Sequence, residues 1–299
     1  MRQFHRRCKL NQKQNSHQVQ LTALQLTSSP SPQQNLQEIE AHLQQLPDFR
    51  PQLVVLPEAC LCFGAGDKRQ REIAELPGVG PMQDGLAELA KRFNVWLIGG
   101  TMPLIDNVDD TKFSATSLVF NPQGECVARY NKMHLFDVDV ADKTKSYRES
   151  HWTEAGDSVV TVTTEFGTIG LAVCYDVRFP ELFRALRNAG ADIFVLPSAF
   201  TQVTGNAHWH VLTRARAIEQ QCFMVAAAQA GEHENGRQTY GHALVIDGWG
   251  RILAETETLQ PGLATALGNT DSLHKIRQDI PVAKHFNRSK KVIHASTER

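Results

Sequence analysis

An α/β fold with mixed strand pairing is what this sequence predicts, on three observations. Short apolar runs such as Leu53-Val54-Val55-Leu56 show no alternation, the pattern of strands buried on both faces. Segments of helical period lie between those runs. Other strand-like runs come in pairs around turn residues and read as hairpins, so the sheet cannot be wholly parallel. The 299 residues allow two domains or one large α/β unit. With no repeat and no linker-like stretch, one domain over 18–285 is expected, between a basic, disordered extension at 1–17 and a tail at 286–299.

The elements follow in order. Val19 to Gln25 reads as a strand. Ser29 to Pro32 punctuates, and Leu36, Ile39, His42, Leu43 and Leu46 then keep a helical spacing. Leu53 to Leu56 is a buried strand closed by Pro57. Pro81 opens a second helix with Leu86, Leu89, Ala90 and Phe93 on one face, and Val95 to Ile98 is the next strand. Ser114–Phe120 and Glu125–Tyr130 flank the turn Asn121-Pro122-Gln123-Gly124. Val159–Val162 and Thr168–Val173 flank Glu165-Phe166-Gly167. A helix starts at Pro180, a strand covers Asp192 to Leu196, a helix covers Ala207 to Gln220, and a single strand covers Cys222 to Ala228. The last hairpin joins Ala243–Ile246 to Arg251–Ala254.

Composition removes several functional classes. Lys plus Arg is 31 and Asp plus Glu is 32, a net charge of −1, so the excess of base that a nucleic-acid or membrane-surface partner wants is missing. The most apolar stretches, 169–175 and 222–228, fall far short of the ~20 residues of a spanning helix. The N-terminus carries Arg2, Arg6, Arg7, Lys9 and Lys13 without an apolar core, which is not a secretory signal. Its Asn and Gln content favours an extension over an organellar transit peptide. Cysteines at 8, 60, 62, 126, 174 and 222 form no disulfide framework, so a reducing cytoplasm is expected.

Open α/β sheets place their sites at the carboxyl ends of strands. Glu58 follows one such end, Lys132 a second, and Cys174 a third, just before the helix opened by Pro180. A thiol near a helix N-terminus and a cation has its pKa lowered. Taken singly, each residue has a plain reading: a small buried cysteine, a capping or paired glutamate, a solvated lysine. Together they supply a nucleophile, a base to take its proton and a cation to hold an oxyanion.

Other constellations fail or stay open. The glycines make no phosphate or dinucleotide loop. His208 and His210, two apart on a helix, face away from each other and cannot share an ion. Cys60 and Cys62 lack a second pair, so no metal is expected. Spacing alone leaves a Cys-His-Asp triad open, with His134 as the candidate histidine.

Three segments resemble the nitrilase family, the carbon–nitrogen hydrolases: Leu56-Pro57-Glu58, Tyr130 to Phe136, and Gly170 to Glu181 around Cys174. The resemblance runs from about Val19 to about Phe286. It implies a four-layer αββα sandwich with two mixed β-sheets, a homodimer, a small-molecule amide or nitrile substrate and no cofactor. It makes Glu58 the base, Lys132 the oxyanion cation, Cys174 the nucleophile and Glu149 a second glutamate, with the Tyr175 N–H as a further oxyanion donor. Pro197 to Phe200, Thr204 to Trp209, Arg214 to Glu219, Ala226 to Gln229 and Tyr240 to His242 are similar to the branch that hydrolyses deaminated glutathione to 2-oxoglutarate and Cys-Gly. That branch usually has Pro at 206 and Glu at 210, where this chain has Asn206 and His210. Substrate contacts are expected from Tyr175, Phe200, His208 and Arg178, the last as a carboxylate partner unless it is tied to Glu181 or Asp176. The competing readings are an ω-amidase acting on 2-oxoglutaramate and a catalytically idle dimeric scaffold.

Overall fold

The computed structural model describes residues 17–142 and 144–286. The expected extension at 1–17 and tail at 286–299 fall outside those residues, apart from His17 and Phe286.

The chain opens with β1 (Gln18–Leu26) and α1 (Pro32–Leu43), whose first turn carries Pro32 and whose N-cap Ser31 accepts from the Gln34 N–H. β2 (Gln52–Val55), α2 (Asp67–Glu72), α3 (Pro81–Phe93) and β3 (Trp96–Ile98) follow. β4 (Met102–Leu104) leads to the hairpin of β5 (Phe113–Phe120) and β6 (Cys126–Asn131). A small ribbon of β7 (Asp137–Asp139) and β8 (Ser146–Arg148) runs into a 3₁₀ turn at Glu149–His151 and β9 (Thr153–Glu154). The second hairpin pairs β10 (Thr161–Thr164) with β11 (Gly167–Leu171). A 3₁₀ turn at Cys174–Arg178 then leads into α4 (Pro180–Asn188), β12 (Ile193–Val195) and α5 (Gln202–Gln220). β13 (Phe223–Ala226), β14 (Ala228–Glu232) and β15 (Gln238–Tyr240) precede the last hairpin, β16 (Leu244–Ile246) with β17 (Ile252–Glu255). β18 (Gly262–Asn269), α6 (Asp271–Asp279) and α7 (Val282–His285) close the described chain.

Two mixed sheets result. Ten strands follow the order β15-β14-β1-β2-β3-β5-β4, with β18 on β1 and with β6 and β9 on β5. Six follow β10-β11-β12-β13-β16-β17. Strand alternation sorts the side chains. Leu24, Leu26, Val54 and Leu97 pack under α1 and α3 with Ile39, Leu43, Leu86 and Ala90. Their neighbours Leu21, Ala23, Leu53, Val55 and Ile98 face the second sheet and join Ile169, Leu171 and Val225. Leu182, Phe183, Trp209 and Ala217 cover the other face of that sheet from α4 and α5. Helix, sheet, sheet and helix thus stack in four layers. Among the described residues no helix is long and apolar enough to cross a membrane.

Besides the short elements α2, β4, β7, β8, β9, β15, α6 and α7, which have no counterpart in the sequence reading, three details depart from it. The expected single strand 222–228 changes sheet: β13 pairs β12 and β16, whereas β14 pairs β1 and β15. Ala226, Ala227 and Ala228 are buried and small, which lets the backbone cross between layers without displacing core side chains. The helix expected from Ala207 begins at Gln202, capped by the Thr201 hydroxyl. Gly205 is not a breaker there but a clearance, since a Cβ on it would lie 2.2 Å from the Tyr240 Cβ. β18 has no counterpart in the sequence reading: Gly262 to Asn269 is poor in β-branched residues, and its eight paired positions along β1 override that weak propensity.

Candidate active site

Glu58, Lys132, Glu149 and Cys174 come from four separate stretches of chain and meet at one cavity of about 300 Å³. Glu58 lies just past β2 in the ten-stranded sheet, and Cys174 just past β11 in the six-stranded sheet. The site therefore straddles the seam between the layers.

Each residue is held by local detail. The turn carrying Glu58 is packed so closely that a Cβ on Gly100, whose φ is +61°, would lie 2.0 Å from the Pro57 carbonyl oxygen. The Ala59 N–H donates to Thr101 Oγ1 (2.8 Å), and the buried Gln229 Nε2 donates to the Glu58 carbonyl (3.0 Å). Lys132 directly follows β6, with its N–H on the Ala115 carbonyl. Cys174 adopts φ +47°, a conformation that costs a non-glycine residue about 1–3 kcal/mol and that turns the chain sharply out of the sheet. As the second residue of the turn, Tyr175 has an N–H among those a helix start leaves unpaired. Asp176, fully buried, pins that turn by accepting from the Val173 N–H (2.8 Å), the Tyr130 hydroxyl (2.7 Å) and the His134 N–H (3.1 Å).

Lys132 is 2% exposed and bridges two carboxylates: its Nζ lies 2.7 Å from Glu58 Oε1 and 2.8 Å from Glu149 Oε2. The Phe136 N–H also donates to Glu149 Oε2. Burial pulls the Lys132 pKa down, but Glu149 and Glu58 outweigh it, and the ammonium is held well above its ordinary value. Burial likewise raises Glu149, against the pull of Lys132. For Cys174 the sequence expectation of a lowered pKa is reversed. Burial, then the Glu58 carboxylate that faces the sulfur, pushes the thiol well up despite Lys132. Two carboxylates around one ammonium already leave the site negative, so a resting thiolate would add a second uncompensated charge. Cys174 waits as a thiol beside a carboxylate able to take its proton.

The expected substrate residues separate. Tyr175 and Phe200 line the cavity; Arg178 and His208 do not. Arg178 packs behind them, 5.6 Å and 5.5 Å from the Tyr175 and Phe200 ring centres, with its guanidinium 3.3 Å from His208 Nδ1. It is tied to neither Glu181 nor Asp176. Besides Lys132, the cations that line the cavity are Arg148 and Arg237. Arg237 stacks on Phe63 and Tyr147, donates to the Ala199 carbonyl, and has a buried Nε without a partner among the described residues. Sequence reasoning missed it because Glu234-Asn235-Gly236-Arg237 reads as a solvated hairpin tip. The roles of Gln229 and Asp176 were also missed, although a lone glutamine closing an alanine run was a visible signal. His134 stacks on Phe179 at 3.6 Å, bonds Asp176 and does not line the cavity.

The carbon-nitrogen hydrolase family model matches residues 20–278. The deaminated glutathione amidase of Yersinia enterocolitica is 43% identical over 262 residues, covering 88% of this chain and 91% of that protein. The crystal structure of the C. elegans NitFhit protein superposes with a TM-score of 0.82 at 35% identity, over 90% of this chain and 65% of that longer one. Saccharomyces cerevisiae Nit3, a member of branch 10 of the nitrilase superfamily, gives a TM-score of 0.78 at 32% identity, over 89% and 95%.

Proposed function

The chain belongs to the carbon-nitrogen hydrolase family and is a thiol-dependent amidase of non-peptide carbon–nitrogen bonds; from that premise we propose that it cleaves deaminated glutathione, with Cys174 as nucleophile, Glu58 as base and Lys132 as oxyanion partner. The observation that carries the residue roles is the meeting of a protonated thiol, a facing carboxylate and a buried ammonium at one cavity.

In this reading Glu58 takes the thiol proton as sulfur attacks the amide carbon. The tetrahedral oxyanion rests against Lys132 Nζ and the Tyr175 N–H. Glu58 returns the proton to the leaving nitrogen, and Cys-Gly departs. Water, deprotonated by the same carboxylate, then attacks the thioester, releases 2-oxoglutarate and restores the thiol. Glu149 holds Lys132 in place alongside Glu58. Arg237 takes the part that Arg178 had in the sequence reading, that of partner for a substrate carboxylate. The same premise extends to assembly and location. A homodimer is supported by the exposed Val211 and Ile218, seven residues apart on α5, and by the exposed Trp249. A reducing cytoplasm is supported by five free cysteines among the described residues.

Side-by-side assays of deaminated glutathione, 2-oxoglutaramate and a simple nitrile test the substrate. The expected result is a wide preference in kcat/KM for deaminated glutathione, because a remote dipeptide supplies binding energy that orients the scissile amide. Faster ammonia release from 2-oxoglutaramate would move the protein to an ω-amidase role.

A further inference from the structure

Away from the catalytic cavity, two imidazoles converge on one carboxylate oxygen. His210 Nε2, from α5, lies 2.7 Å from Glu255 Oε1. His242 Nδ1, just after β15, lies 2.7 Å from the same atom. All three ligand atoms fall within 4.8 Å of one another, and none of the three residues lines the cavity.

We propose that His210, His242 and Glu255 form a Zn²⁺ site with a fourth coordination position open to solvent. Two imidazole nitrogens and one carboxylate oxygen are the donor set zinc takes when three protein ligands leave one place free. Both rings crowd a single oxygen rather than sharing the two, so the donors aim at a point. A tetrahedral ion with metal–ligand bonds of about 2.0–2.1 Å needs its ligand atoms about 3.3 Å apart, so the two contacts must open by about 0.6 Å. The side chains, 31%, 26% and 24% exposed, have room for that, and the ion has a path in from water. To ligate the ion, each imidazole offers the nitrogen that now faces Glu255 and carries its ring proton on the other nitrogen.

The surroundings preassemble the donors. The Trp209 Nε1–H holds the His242 carbonyl at 2.7 Å, and His242 sits at φ +59°. The Tyr240 ring stacks on His242 with centroids 4.5 Å apart and meets His210 edge-on at 5.9 Å. The Thr256 N–H donates to the Ala243 carbonyl, which ties the neighbours of Glu255 and His242 together. A bound ion would staple α5, whose first turn contributes Thr204 to the cavity, to the edge hairpin of the six-stranded sheet.

The test uses the full-length protein, stripped with chelator and titrated with zinc chloride alone, with thermal unfolding followed in parallel. It reads binding rather than turnover, so it stands or falls separately from the amidase reading. One zinc per chain and a rise in Tm are expected. H210A and H242A should each weaken binding by more than about 100-fold, since losing a ligand exceeds the 10–100-fold cost of losing its support. E255Q keeps an acceptor for both imidazoles, preserves the fold and should also lose the ion. C174A should bind zinc as wild type does. Cobalt substitution should give ligand-field bands without a sulfur charge-transfer band. Absence of saturable binding, binding unaltered in both H210A and E255Q, or a sulfur-dominated cobalt spectrum overturns the proposal.

Discussion

Glu58 and Lys132 act directly on the Cys174 thiol, with Glu149 behind the lysine, and that balance fixes what single substitutions do. Cys174→Ala should abolish turnover and leave the unfolding midpoint nearly unchanged, because only one sulfur is lost; turnover within about tenfold of wild type would refute the nucleophile. Lys132→Met should lose on the order of 100-fold or more in kcat while staying folded. Glu58→Gln gives a less obvious result. It removes the base, so turnover collapses. It also removes a negative charge that holds the Cys174 pKa up, so Cys174 should be alkylated by iodoacetamide at lower pH than in the wild type. An unshifted alkylation profile would mean that Glu58 does not face the thiol in solution. His233 lies beyond the chemistry and titrates the fold. Burial lowers its pKa from 6.5 to about 4, so its neutral form contributes stability above pH about 6.5 that is lost as pH falls through about 4. A His233→Gln variant should therefore lose less of its urea midpoint between pH 7 and 4.5 than the wild type does.

At the scale of elements, α5 shows how the start of a helix escapes a local reading. The sequence reading starts this helix at Ala207, just past Gly205, yet the glycine is part of the first turn because Tyr240 of β15 occupies the space a side chain would need. Gly205→Ala should cost about 1–3 kcal/mol through overpacking, measured as a fall in the urea midpoint at unchanged m-value. A neutral result would show that β15 can move away from the helix. Most of the helices and long strands were legible because their apolar period is local: Ile39 and Leu43, or Leu53 to Leu56, announce their faces without neighbours. β18, the division at Ala227 and the Arg237 side chain were not, because each depends on partners that a local pattern does not reveal, such as β1 for β14 and β18 and Phe63 for Arg237. The same limit explains the site. Glu58, Lys132, Glu149 and Cys174 were visible as strand-end or motif residues, whereas Arg178 was chosen for its nearness in sequence to the thiol and the structure turns it behind Tyr175.

Across the whole molecule, neither sheet holds a complete site. Glu58 and Lys132 hang from the ten-stranded layer and Cys174 from the six-stranded one, with Gln229 fastened to Glu58 just past the crossover. Loss of contact between the layers should silence catalysis before secondary structure melts. The pairing of β1 with β18 carries this further. Thr22 and Thr265, separated by 243 positions, meet at their hydroxyls, and one edge of the first strand is filled mainly by the last. A ribosome delivers β1 at the outset and β18 near the finish. Until then an apolar strand stands with a bare hydrogen-bonding edge, the feature that templates aggregation. Nascent chains halted before residue 262 should therefore depend on chaperones, and release of the final strand is the event that makes the protein safe as well as active.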